Sequence, residues 1–203
     1  MKTKLLIATG NRAKVREYSE LLKGAPYVLT TLADECIDID VDETGQTLEE
    51  NAKLKATAYA TISQSLVAAD DSGLEVDALG GEPGPLSARY AGENATDQQR
   101  ISFLLSRLEG VPWEKRSAQF KCVIAIASPM GKTQLCEGIC RGYITFEPKG
   151  TQGFGYDPIF YLPELDKTMA ELSMDEKNQV SHRSSAARKA LEVLTNLQME
   201  TGG

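Results

Sequence analysis

The sequence predicts an α/β fold built on a mixed sheet. Three observations carry this. Short apolar runs bounded by turn residues alternate with helical periodicity through the first half of the chain. Two stretches rich in strand formers, 120–127 and 133–146, flank the turn "SPMGK" and read as an antiparallel hairpin. A helical stripe through Ala187, Ala190, Leu191 and Leu194 closes the chain.

Taken in order, residues 4–8 read as a strand and 11–23 as a helix. Val15, Tyr18, Leu21 and Leu22 share one face of that helix, and Gly24 is its stop. Residues 27–32 form the next strand. Thr47 to Glu50 has the pattern of a capping box and opens a helix through Ala52, Leu54, Ala56 and Ala60. Residues 66–69 read as a strand ending in an acidic turn, and "LGGEPGPLSARYAG" as a loop. A second capping box, Thr96 to Gln99, leads into Ile101, Leu104, Leu105 and Leu108, the spacing of a core-facing stripe, which Gly110 and Pro112 end. "PKGTQGFGYDPIF" reads as a Gly-rich loop. With no repeat or long linker, residues 1–199 are expected to form one domain and 200–203 a disordered tail.

Composition narrows the function. Of 203 residues, 41% are hydrophobic and 25% charged, which is ordinary for a globular protein. A net charge of −7 argues against sequence-independent nucleic-acid binding, which depends on Lys and Arg. No apolar run approaches the roughly 18 residues of a membrane helix. The first apolar run meets a Thr-Gly-Asn turn too early for a signal peptide. A soluble cytoplasmic protein is expected. The four cysteines, with one histidine and no zinc-ribbon spacing, read as reduced, packed residues.

Five segments can carry chemistry, and each also has a plain structural reading. In "ATGNRAK" a strand runs through Thr9, Gly10 and Asn11 into a helix, placing backbone N–H groups and the Lys14 ammonium at one helix start, as a phosphate site requires. It equally describes a Gly turn with an Asn cap. In "DETGQTLEENAKLKA" Glu43 precedes a turn, and Lys53 and Lys55 face different ways on the helix that follows. Asp70 and Asp71 end an apolar run. Adjacent carboxylates repel unless a cation or shared proton intervenes, and magnesium takes such hard oxygen ligands together with substrate phosphates. In "GFGYDPIF" a flat ring can stack on Phe154 while Asp157 accepts a hydrogen bond, or the aromatics fold into the core. In "DEKNQVSHRSSA" Lys177, His182 and Arg183 form a donor-rich cluster, or simply a helix start.

The five segments, running in order from residue 8 to residue 183, resemble the inosine/xanthosine triphosphate pyrophosphatase family. The resemblance covers nearly the whole chain. It implies an elongated mixed sheet flanked by helices in two lobes around a central nucleotide-binding cleft, and a homodimer. It also implies Mg²⁺-dependent hydrolysis of ITP, dITP and XTP to the monophosphate and pyrophosphate. Carried over by residue, Thr9, Gly10, Asn11, Arg12, Ala13 and Lys14 would grip the triphosphate. Glu43 and Asp71 would hold magnesium with Asp70 nearby, Asp71 would be the general base and Ser72 a substrate contact. Lys55 would support the triphosphate or the acidic cluster. Phe154, Gly155, Tyr156, Asp157, Lys177, His182 and Arg183 match base-recognition positions, where donors would favour a 6-oxo purine over adenine. Two departures stand out. Ser184 replaces a frequent Gly, and Pro85-Leu86 replaces a β-branched or aromatic pair.

Overall fold

The structure, a computed structural model, describes residues 3–201. It is a mixed α/β fold. In chain order its strands and helices are β1 (Lys4–Ile7), α1 (Arg12–Leu21), β2 (Val28–Thr31), α2 (Leu48–Ser63), β3 (Leu66–Val76), β4 (Pro83–Gly84), α3 (Asp97–Arg107), β5 (Ser117–Ala127), β6 (Thr133–Ile144), β7 (Phe160–Leu162), β8 (Lys167–Thr168), α4 (Met174–Val180) and α5 (His182–Thr201). The strand order is β2-β1-β3-β5-β6-β7-β8, with β4 paired to β3. β1 runs parallel to β2 and β3, whereas β3 with β4, β6 with β7 and β7 with β8 are antiparallel.

The chain forms two compact units. The first comprises the residues up to Asp71, Cys122–Gly138 and the chain from Arg183 onward; the second comprises Ser72–Lys121 and Ile139–His182.

In the first unit β1 and the adjoining parts of β3 and β5 are buried on both faces, so they read as continuous apolar runs. Alternation sorts their side chains. Leu5, Ile7, Ala68, Cys122, Ile124 and Ile126 face Tyr18 of α1, Leu22 at its C-cap, and Ala186, Ala187, Ala190 and Leu194 of α5. Leu6, Ala8, Val67, Ala69, Val123, Ala125 and Ala127 face Leu48, Ala52, Ala56 and Ala60 of α2. Small residues on α2 let that helix lie close to the sheet.

In the second unit, Leu74, Val76, Phe120, Ile144 and Phe160 pack with Ile101 and Leu104 of α3 and with Leu108 at its C-cap. These are three of the four residues of the stripe expected from sequence; the fourth, Leu105, is only partly buried against the cluster. Helix α3 starts with a complete capping box between Thr96 and Gln99.

Four local expectations need correction. The expected acidic turn after residue 69 is absent. β3 runs on for 11 residues, straight through Asp70 and Asp71, because the pleat separates the two carboxylates and each finds its own cationic partner. The box at Thr47 is half formed: Thr47 Oγ1 accepts the Glu50 N–H, but the Glu50 carboxylate takes the N–H of Gln46 instead. The Gly-rich loop contains a short 3-10 turn at Asp157–Ile159 before β7. Of the four cysteines, which are all free, Cys36 is exposed rather than packed: it lies in the turn that follows β2, away from the sheet strands that bury Cys122, Cys136 and Cys140.

Gly73 marks where β3 changes partner. The register with parallel β1 ends at Ala68, and that with antiparallel β4 starts at Leu74. A Cβ on Gly73 would overlap the Gly84 carbonyl, so glycine is the residue that permits this pairing. No described helix is long and apolar enough to cross a membrane. Helix α5 extends to Thr201, and the remainder of the expected tail, Gly202 and Gly203, lies outside the described residues.

Candidate active site

Sheet alternation places Asp70 on the α1 face and Asp71 on the α2 face. Lys14, one turn into α1, donates to Asp70 Oδ2 at 2.8 Å, and the Asp70 side chain is only 1% exposed. Burial alone would push the Asp70 carboxyl up, yet the charges of Lys14, Arg183 and Lys55 outweigh it and hold it below the usual carboxylate range. Asp70 therefore stays ionised at neutral pH.

On the other face, Asn51 and Lys55 of α2 are four residues apart and present side by side. Asn51 Nδ2 donates to Asp71 Oδ2 at 3.1 Å. The Lys55 ammonium pairs with Glu43 and lies 3.8 Å from Asp71 Oδ1. Lys53 is exposed. Lys55 is raised in pKa: its burial works against the charge, and Asp70, Asp71 and Glu43 more than compensate. Asp71 behaves differently from its neighbour. Burial pushes it up to about 6, Lys55 pulls it back only in part, and Glu43 adds to the rise.

The start of α1 is more occupied than the sequence suggested. Asn11 Oδ1 accepts the Ala13 and Lys14 N–H groups at 2.9 and 3.3 Å, and Thr9 Oγ1 accepts the Asn11 N–H at 3.3 Å. These are the groups expected to face a phosphate, and the cap takes them because Asn is a strong helix initiator. Thr9, Gly10, Arg12, Arg16 and Thr31 nevertheless line a groove of about 1150 Å³ that also reaches Asp38 and Tyr59.

Arg183 also belongs to this unit. Its side chain is 3% exposed, its Nη1 donates to Glu17 Oε2 at 2.5 Å, and its guanidinium lies 5.9 Å from the centre of the Tyr18 ring. Burial lowers its pKa, but Tyr18, Glu17 and Asp70 together raise it well beyond its ordinary value.

The second unit gathers the expected aromatic loop. Asp157 Oδ2 accepts from Lys177 Nζ at 2.7 Å and from the Phe154 N–H at 2.9 Å. Both members of the ion pair are 5% exposed. The Lys177 ammonium also lies 5.1 Å from the centre of the half-buried Phe154 ring. The Gly155 N–H donates to Asp97 Oδ2 at 2.7 Å, and the Tyr156 hydroxyl donates to the Ser87 carbonyl at 3.0 Å. The His182 ring is buried and stacks on Phe120 with centroids 4.7 Å apart. Ser72 is half-buried at the head of this unit's first strand segment. A cavity of about 480 Å³ in this unit lies elsewhere, among residues such as Asp77, Gln119, Arg141 and Glu164.

The structure thus brings Glu43, Lys55 and Asp71 together, and separately Lys14 with Asp70, and Phe154 with Asp157 and Lys177. It does not put Asp70 on the face that carries Glu43 and Asp71. Sequence reasoning missed Asn51 and Glu17. Asn51 was findable as the residue one turn before Lys55. Glu17, one turn after Lys14, carried no signal that distinguished it from a solvated acid.

Among the described residues no group of three or more His, Cys, Asp or Glu side chains could hold a metal alone. Glu43 and Asp71 do supply two hard carboxylates around one lysine. That suits a small divalent cation whose remaining ligands are water and substrate phosphates.

An α/β chain with an acidic pair on one sheet face and, on the other, an Asn-capped helix start that carries Lys14 has the framework of a nucleotide-processing enzyme. The chain belongs to the Ham1 family, whose model matches residues 5–193. It is 51% identical, over 184 residues, to the dITP/XTP pyrophosphatase of Halalkalibacterium halodurans, covering 91% of this chain and 95% of that protein. Among solved structures, the Ham1 protein of Staphylococcus aureus matches with a TM-score of 0.86 and 44% identity over 96% of this chain and 99% of that one. A HAM1 protein from Coxiella burnetii matches with a TM-score of 0.88 and 41% identity, over 96% and 99% of the two chains.

Proposed function

We propose that this protein hydrolyses non-standard purine nucleoside triphosphates, namely ITP, dITP and XTP, to the monophosphate and pyrophosphate, and so keeps them out of DNA and RNA. Similarity along almost the full chain to a relative named dITP/XTP pyrophosphatase supports the reaction class. The single observation in this chain that supports it most is the paired environment of Asp71 beside Glu43 and Lys55.

The roles follow from the local chemistry. Lys14 and Lys55 offset charge on the triphosphate, with Thr9 to Ala13 contacting it at the helix start. Glu43 and Asp71 would hold Mg²⁺; when bound, the ion would neutralise phosphate charge and stabilise the departing pyrophosphate. Asp71, whose carboxyl burial pushes up to about 6 in the metal-free protein, is the general base. It takes a proton from the water that attacks the α-phosphorus. Asp70 serves as the counter-ion that holds Lys14 and is not assigned to the metal. Ser72 contacts substrate next to Asp71. In the second unit, Lys177 and His182 supply donors and Phe154 an aromatic face for a 6-oxo purine, with Gly155, Tyr156 and Asp157 shaping that loop. Arg183 adds a fixed cation at the start of α5. Residues 1–199 serve one activity, and the resemblance extends the reading to a cytoplasmic homodimer.

A nucleotide panel tests this reading. With Mg²⁺, ITP and XTP are expected to yield monophosphate and pyrophosphate at least about 100-fold faster than ATP, well within the roughly 10⁴- to 10⁵-fold that unpaired polar groups can supply. Faster turnover of dUTP or ATP, or release of orthophosphate, would contradict it. EDTA should abolish the reaction.

A further inference from the structure

Asn51 is fully buried on α2, and its amide joins two segments. Its Oδ1 accepts the Gly45 N–H at 2.8 Å, and its Nδ2 donates to Asp71 Oδ2 at 3.1 Å. Gly45 lies two residues after Glu43. The approach is close: a Cβ on Gly45 would stand 2.7 Å from Asn51 Oδ1 and 3.0 Å from the Asn51 nitrogen. Only glycine lets the loop reach the amide.

The chemistry selects asparagine. One end of the side chain must accept from a backbone N–H and the other must donate to a carboxylate. Asp can accept from Gly45 but would face Asp71 with a like charge, and Ser cannot span both. The same amide therefore sets the orientation of Asp71 and anchors the loop that carries Glu43. Lys55, one turn further along α2, pairs with Glu43 from the same helix face.

We propose that Asn51 is a positioning residue for the reaction, fixing the Asp71 carboxylate and the Glu43 loop in one geometry. The inference rests on the assignment of Asp71 as base and metal ligand. Removing the outer partner of a ligating carboxylate commonly costs about 10- to 100-fold in metal affinity or activity.

The test uses Asn51→Ser and Asn51→Asp in the full chain, with Asp71→Asn alongside. Folding is checked by circular dichroism and Tm. Binding of Mn²⁺ in the presence of a non-hydrolysable ITP analogue is followed by electron paramagnetic resonance. The folded Asn51 variants are expected to lose about 100-fold in kcat, with KM for ITP within about threefold, and to bind Mn²⁺ about tenfold more weakly. Any of four results overturns the inference: kcat close to that of the parent, a fall in kcat matched by a rise in KM, unchanged Mn²⁺ affinity, or loss of fold in both variants. Near-normal turnover by Asp71→Asn would instead remove the assignment on which the inference rests.

Discussion

Replacing Asp71 by Asn is expected to reduce turnover of ITP by several orders of magnitude while making the metal-free protein more stable at neutral pH. The two effects share a cause. The carboxylate is buried beside Glu43, and Lys55 compensates only in part, so its pKa rises from 3.8 to about 6. The folded protein then binds this proton more tightly than the unfolded chain does. Below about pH 4 the group is neutral in both states and costs nothing; through the interval up to about 6 the fold progressively loses stability, and above it the cost is complete. A rise of this size corresponds to roughly 2–3 kcal/mol. Asn removes the charge and can still accept from Asn51 Nδ2. Thermal unfolding of both proteins in EDTA should show the variant ahead at pH 7.5 and the two converging near pH 4. Equal stability at every pH, or turnover close to that of the parent, would contradict the assignment.

The neighbouring substitution, Asp70→Asn, is expected to act in the opposite direction. Asp70 lies between Lys14 and the field of Arg183 in a nearly closed interior. Removing its charge leaves buried cations short of a partner, which typically costs roughly 3–5 kcal/mol. The folded pKa of Asp70 is depressed, so its contribution is present above the unfolded value near 3.8 and is lost as the pH falls through the lower folded one. Denaturant unfolding at pH 7 should therefore show a large deficit for Asp70→Asn that narrows as the medium becomes strongly acidic. Lys14 would also lose its anchor, raising KM for ITP more than it lowers kcat. A variant as stable as the parent at pH 7 would refute this role.

Much of the fold was legible because the patterns were local. The stripe Ile101, Leu104, Leu108 and the Thr96 cap specify α3 within a dozen residues. The hairpin turn at Ser128 closes with hydrogen bonds between Ser128 and Lys132 and between Gly131 and Ser128. The run through Asp70 and Asp71 was read as a turn because charge in an apolar run signals exposure when only neighbours in sequence are considered. The compensating cations come from 56 residues away at Lys14 and from Lys55 on another helix, and no local rule reports them. Glu17 was illegible for the same reason: its partner Arg183 lies 166 residues further on. The placement of the two aspartates on opposite faces, each with its own partners, follows from the two-residue period of a strand.

Hydrolysis of ITP in ¹⁸O-enriched water tests the central claim, that water attacks the α-phosphorus. The account predicts one labelled oxygen in the inosine monophosphate and none in the pyrophosphate. Label in the pyrophosphate, with the monophosphate unlabelled, would contradict it.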